Sequence, residues 1–199
     1  MRRTLITAGA TRNPIDSMRF ISAHATGRTG LRLARALTSS GSQVHLLGSP
    51  EACHAAPAGL STEVFGSTHD LLSRVRQWVT HNPGSLVIHS AAVGDYEAEA
   101  SEGKIKSGAN ELVLRLRPTP KILDQISQWD PACCLVSFKA AAPHTERSEL
   151  ESIARKQLLR SKSEIVFGNV IGALESEVLL IRADSTEYFP SREEGLLAL

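Results

Sequence analysis

The sequence predicts an α/β fold built on a parallel sheet, and three observations predict it. Short apolar runs alternate with stretches of helical spacing from residue 4 to residue 167. Several of these runs are apolar throughout, as strands covered on both faces require. Small-residue turns, such as Gly9-Ala10-Thr11 and Ala25-Thr26-Gly27, follow or precede them where such a sheet changes element.

Residues 4–8 open the chain as a strand. Residues 30–39 form a helix that Ser40-Gly41 ends, and 43–47 form the next strand. Ser67 or Thr68 caps a helix running to about His81, with Leu71, Leu72, Val75, Trp78 and Val79 on one face. Residues 86–90 form a third apolar strand, 120–128 a short helix and 134–138 a fourth strand. Residues 146–161 read as a helix with an acidic start and a basic end, which suits the helix dipole. A strand over 164–167 follows. The tail differs: 177–183 and 185–189 form a hairpin around Ala183-Asp184. The small, polar stretch 97–110 reads as a flap. The whole is a Rossmann-like three-layer parallel sheet with a C-terminal β-hairpin, one domain over residues 1–199. Ligands of such folds bind at the carboxyl ends of the strands. There the sequence puts Gly9-Ala10-Thr11, residues 90–96, Phe138-Lys139 and Gly168-Asn169, each following a strand.

Composition narrows the function classes. The chain has 199 residues, 42% of them hydrophobic and 22% charged, which suits a full globular core. A net charge of +1 gives no bulk attraction to nucleic acid or to an acidic membrane. Cys53, Cys133 and Cys134 lack the spacing of a zinc site or a disulfide framework. No apolar run reaches the ~20 residues of a membrane span, and Met1-Arg2-Arg3 leads straight into a strand, so the expected location is the cytoplasm.

A strand, two amide-rich turns and a helix N-terminus over residues 5–31 offer a seat for phosphate, because backbone N–H groups and the helix dipole favour negative charge there. The spacing is neither G-x-G-x-x-G nor Walker A. Arg12 and Arg19 flank Asn13-Pro14-Ile15-Asp16 and suit a carboxylate or a phosphate; solvated arginines or a local Asp16–Arg19 pair fit equally. Asp95 suits magnesium, a ribose or base edge, or a turn cap. Lys104 on the flap could relieve charge on a transferring phosphoryl group, or simply be solvated. Arg155, Lys156, Arg160 and Lys162 crowd one helix end, as a triphosphate clamp or as dipole partners. The seven histidines show no metal spacing and read as structural.

In order along the chain, these segments resemble the phosphopantothenoylcysteine synthetase family. LITAGATRNPIDSMRFISAHATGRTG resembles the family's opening I-T-A-G-G-T-x-x-P-I-D-x-V-R-x-I-S-N-x-S-S-G-x-x-G. SAAVGDY resembles A-A-A-V-x-D-Y, KIKS the flap K-I-K-K or K-I-x-S, and TPKILDQI the pattern N-P-D-I-L or P-K-x-L. LVSFKAAA resembles the strand ending F-x-x-E-T, ARKQLLRSKSEIVFGN a helix and strand ending A-N, and EVLLIRADSTEYFP the terminal hairpin.

The resemblance implies a ligase of coenzyme A biosynthesis. CTP or ATP, with Mg2+, activates the carboxylate of 4'-phosphopantothenate, and the amine of cysteine then forms an amide. It implies Lys104, Arg19 and Ala92 near the reaction centre. Gly9, Ala10, Thr11, Thr26, Gly27 and Ser90 would surround phosphates, with Arg155 and Lys156 beside them. Asp95, Thr119, Pro120, Lys121, Ile122 and Phe138 would frame the nucleotide, Asp95 also holding magnesium, while Arg12 and Asn169 would contact substrate. It implies a homodimer and no flavin in this chain, with a decarboxylase as a possible separate partner. The chain departs from the pattern at four places: the family's asparagine in I-S-N is Ala23, one serine of S-S-G is Ala25, the glutamate and threonine of F-x-x-E-T are Ala141 and Ala142, and the helix lysines of the bacterial members fall on Gln157 and Ser161. An alternative reading is a homologue that keeps nucleotide or phosphate binding without ligation. An NAD(P)-dependent reductase fits least, since the second strand ends in LLGSP without the acidic ribose ligand.

Overall fold

The computed structural model describes residues 2–108, 110–172 and 177–199. Eight strands form one sheet in the order β12-β11-β10-β9-β6-β1-β4-β5. The six strands β1 (Thr4–Ala8), β4 (Val44–Gly48), β5 (Ser61–Val64), β6 (Leu86–His89), β9 (Cys134–Ala141) and β10 (Ile165–Val170) run parallel. The hairpin β11 (Val178–Ile181) and β12 (Thr186–Phe189) closes one edge antiparallel. Two small ribbons stand outside this sheet: β2 (Arg12–Pro14) with β3 (Phe20–Ser22), and β7 (Tyr96–Ala98) with β8 (Leu116–Pro118).

Side chains alternate across the sheet and meet helices on both faces. Ile6, Leu46, Ile88, Val136 and Phe167 pack under α1 (Arg28–Ser39), with α2 (Pro50–His54) and α6 (Arg192–Leu197) on the same face. On the other face, Leu5, Leu47, Val87 and Leu135 meet α3 (Thr68–His81) and α4 (Leu123–Trp129), and Ala141 and Val166 meet α5 (Arg147–Ser161). The expected three layers are present, and Ser67 caps α3 by accepting from the Asp70 N–H.

Several boundaries differ from the sequence reading. Strands β9 and β10 run on to Ala141 and Val170, so Phe138-Lys139 and Gly168-Asn169 lie inside strands rather than after them. Continuous pairing, Phe167 to Phe138 and Asn169 to Ala140, carries both strands past the point where their β-forming residues end. Helix α4 begins at Leu123, not at Pro120. The ribbons β2–β3 and β7–β8, the strand β5 and the helices α2 and α6 add to the expected elements, and the flap merges into β7 at its start. Within the flap, Ala109 lies outside the described residues. So does part of the segment before β11, which begins at Val178 rather than 177.

Candidate functional site

Chain order reverses about β1: β4 and β5 lie on one side of it and β6 on the other. That switch point, at the carboxyl ends of β1 and β6, is where an open α/β sheet offers a crevice. Here a parallel bridge between Ala10 and Ala92 closes its floor. Thr11 N–H donates to Ala92 O at 3.1 Å, and Ala92 N–H to Gly9 O at 2.8 Å.

Gly9 has φ +90°, and a Cβ there would lie 2.2 Å from Ser49 Oγ. Gly27, at φ +77°, is pressed against it: a Cβ on Gly27 would stand 3.0 Å from Gly9 N. Gly27 is also the N-cap residue of α1. No side chain caps this helix and no acid sits in its first turn. The two turns of the sequence reading therefore meet, and the open N–H groups and dipole of α1 face an exposed loop, 22–26, that carries Thr26.

Beneath them runs a hydrogen-bond chain. Ser90 Oγ donates to Thr7 O at 2.7 Å, and Ala91 N–H donates to Thr7 Oγ1 at 3.1 Å. The Thr7 hydroxyl lies 3.0 Å from His89 Nδ1. Burial holds His89 down to about 4, so its imidazole is neutral, and either tautomer can hydrogen-bond the Thr7 hydroxyl. Thr11 is buried too. Its hydroxyl oxygen accepts from Gly94 N–H at 2.9 Å and from Thr68 Oγ1 at 3.1 Å. Asn13, fully buried, accepts from Thr68 N–H and donates to Tyr96 O.

The flap is tied to the β2–β3 ribbon through Asp16 and Arg19, with backbone bonds from Ser17 N–H to Gly103 O and from Ser101 N–H to Ile15 O. Asp16 Oδ1 accepts from the Met18 and Arg19 N–H groups at 2.9 and 2.8 Å, and Oδ2 from Ile105 N–H at 3.0 Å. The Arg19 guanidinium pairs with Asp16 and donates to Ile105 O at 2.9 Å. The Arg19 side chain, then the amides of Ile105 and Met18, hold the Asp16 carboxyl well below the usual carboxylate range. Lys104 is exposed beside this knot.

Other expected residues divide into two groups. Arg12 pairs with Glu51 and stacks over Phe20 with 4.8 Å to the ring centre. Asp95 pairs with Lys121, Asp95 O accepts from Thr119 N–H, and Thr119 Oγ1 donates to Gly94 O at 2.6 Å. Pro120 and the buried Ile122 follow at the start of α4. Phe138 stacks on Phe167 at 5.0 Å, and Asn169 is buried on the same sheet face. Among the described residues no three His, Cys, Asp or Glu side chains converge as a metal site, and the Asp95 carboxylate is already paired. Arg155 is not brought to this edge. It binds Glu151, Thr186 and Arg182 O on the hairpin turn, and that turn lies at the amino end of β10, since Ile181 pairs with Val166. Lys156 is exposed on α5. Burial, first of all, pushes the Cys133 thiol up to about 11, consistent with the place of the cysteine pair at a strand start.

The sequence reading takes Thr7 as part of the phosphate turn and His89 as structural but gives no sign of the contact between them, and it assigns Asn13 no role. It treated Asp16 only as an ion-pair partner. For Asp16 a signal existed: an aspartate followed by amides two and three residues on is an Asx-turn pattern.

Comparison with known proteins agrees with this geometry. The family described as DNA/pantothenate metabolism flavoprotein C-terminal domain matches residues 1–194. The chain belongs to this family. The coenzyme A biosynthesis bifunctional protein CoaBC of Thermococcus kodakarensis is 34% identical over 202 residues, covering 99% of this chain and 49% of that protein. Its Bacillus subtilis counterpart is 29% identical over 174 residues, covering 86% of the chain and 41% of the relative. The chain thus spans about half the length of the curated relatives it matches. The crystal structure of the DNA/pantothenate metabolism flavoprotein from Streptococcus pneumoniae superposes with a TM-score of 0.89 at 26% identity, covering 100% of this chain and 96% of that one. A Cab2 mutant solved with phosphopantothenate-cysteine shares the fold, with a TM-score of 0.81 at 19% identity over 99% of this chain and 85% of that one. Among the described residues, no helix is long and apolar enough to cross a membrane.

Proposed function

We propose that this chain is a phosphopantothenate–cysteine ligase of coenzyme A biosynthesis, acting in the cytoplasm as a single domain over residues 1–199. A carboxylate oxygen of 4'-phosphopantothenate attacks the α-phosphorus of CTP or ATP, and pyrophosphate leaves. The cysteine amine then attacks the acyl carbon, loses a proton, and displaces the nucleoside monophosphate. Such chemistry rests on holding anions together and on relieving charge rather than on a catalytic triad. The observation that carries the reading is the uncapped N-terminus of α1 pressed onto the Gly9 turn at the switch point, in a chain of this family.

In this reading the α1 amides with Thr26 and Gly27 receive phosphate, and the Asp95–Lys121 pair and Phe138 border the nucleotide. Arg19 positions the flap, and Lys104 reaches the phosphoryl group when the flap closes. Magnesium arrives with the triphosphate. The reading includes a homodimer, supported by the exposed Met18, Phe20, Tyr96, Leu112, Val113 and Leu116 on or beside the two ribbons. It also includes a decarboxylase that supplies the flavin chemistry separately.

Pyrophosphate release with 4'-phosphopantothenate and magnesium, run in parallel with CTP and ATP and with and without cysteine, tests it. Release that depends on phosphopantothenate is expected. Nucleotide binding without release would instead favour a homologue that has kept binding and lost ligation. That second reading has its own support: Ala141 is packed among Leu150 and Ala154, and Ala23 offers only a methyl group.

A further inference from the structure

Most cations around the carboxyl edge are already engaged. Arg12 is paired with Glu51, Arg19 with Asp16, Lys121 with Asp95, and Arg160 with Asp124. Lys139 is different. Its side chain makes no ion pair or hydrogen bond among the described residues, yet it is partly buried and sits within β9.

Its position follows from register. The last pair between β6 and β9 is His89 with Ser137, and β9 continues two residues further to Lys139 beside Gly168 of β10. On the side toward β6 the sheet has ended, and that chain turns away through Ser90 and Ala91 into the site. Alternation puts Lys139 on the face of Ser137 and Ala141. Ser137 Oγ accepts from Gln157 Nε2 of α5 at 3.0 Å, and Ala141 packs against α5. Lys139 therefore rises on the α5 face, beyond the end of β6, with no side chain on its register partner Gly168 to crowd its stem. Gln157 of α5 is neutral and spends its amide on Ser137 Oγ and Phe138 O. Among the described residues no carboxylate of α4 or α5 pairs with the ammonium: Asp124 and Glu151 are held by arginines, and Glu149 is exposed in the first turn of α5.

Partial burial of a charge without a counter-ion costs folding free energy, and an ammonium so placed gains most from a ligand anion. We propose that Lys139 is a phosphate-binding residue of the site, its ammonium donating to a phosphoryl oxygen of the bound ligand. This rests on the ligase reading for the source of that phosphate, a nucleoside triphosphate or phosphopantothenate.

The test uses the full chain and the variants Lys139→Met, which keeps the stem and removes the charge, and Lys139→Arg. Affinities for ATP, CTP, 4'-phosphopantothenate, inorganic triphosphate and adenosine are measured by calorimetry, together with thermal midpoints. Lys139→Met is expected to weaken at least one phosphate ligand roughly 10- to 100-fold, to leave any adenosine binding unchanged, and to raise the thermal midpoint. Lys139→Arg restores most of the affinity. Loss confined to ATP or CTP assigns the contact to the nucleotide, and loss confined to phosphopantothenate assigns it to that substrate. Unchanged affinity for every phosphate ligand in Lys139→Met overturns the proposal, even if ligation is intact. Lys139-dependent binding of inorganic triphosphate by a protein that ligates nothing upholds the contact while the ligase reading fails. A wild-type protein that binds no phosphate compound overturns both.

Discussion

At the floor of the site, Thr7, Thr11, His89 and Asn13 are buried, and their hydrogen bonds run to β1, β6 and α3. Above it, the flap over residues 101–107 is mostly exposed and hangs at Ile105 on the Asp16 carboxylate and the Arg19 guanidinium, with two backbone bonds besides. The first region is rigid by redundancy, since each bond is backed by core packing. The second is held at few points and can open without disturbing the core. A site that must grip anions and later release product needs both kinds of region.

Substitution can break the comparison at either end. Gly9→Ala should cost most. Its φ of +90° strains any Cβ, and the methyl would collide with Ser49 Oγ. A loss of about 2–4 kcal/mol in denaturant unfolding is expected; a change of a few tenths would mean that Ser49 is not held against the Gly9 turn.

The second effect comes from Thr7 and His89. Thr7→Val leaves the Ala91 N–H and His89 Nδ1 without partners, a loss of about 1–3 kcal/mol. His89 adds a pH signature. Its folded value, about 4, lies below the ordinary 6.5, so the unfolded chain takes the proton first. Stability is full above about pH 6.5 and falls as pH drops toward 4, by on the order of 3 kcal/mol. His89→Asn should flatten that part of the pH–stability curve, and an unchanged slope would show that another group titrates there.

The smallest change in global stability should follow Asp16→Asn. The thermal midpoint stays close to wild type, while protease cleavage in 101–108 and hydrogen exchange at the Ser101 and Ile105 amides accelerate. Because the folded Asp16 pKa is lowered, its contribution is present above the usual aspartate range and is lost as pH falls through and below it. Equal exchange rates in the two proteins would mean that the flap does not depend on this carboxylate.

The strands β1, β4 and β6 were legible because each is an apolar run bounded by turn residues, and α3 because Ser67 precedes five apolar residues at helical spacing. Strand β5 was not: its sequence STEV is mostly exposed at the sheet edge and carries no apolar signal. The three-residue ribbons are too short for any period to show. For the site, Gly9 and Gly27 were legible as turns because positive φ selects glycine. The Thr7–His89 contact spans 82 positions and exists only through the pairing of β1 with β6. The orientation of Arg155 was equally hidden, because it depends on which way the terminal hairpin folds back.

Asp16 ties the ribbon and the flap to the same pair of oxygens. Its own ribbon supplies two amides and a guanidinium, and the flap supplies the Ile105 amide. The two segments are therefore geared together. A ligand that draws the flap down pulls on the turn over 16–19 and on Arg19, while Asn13 and the Arg12 N–H, bonded to Thr68 N–H and Gly66 O, keep β2 on the floor. Closure of the flap would thus be felt at the tip of the ribbon and not at its base.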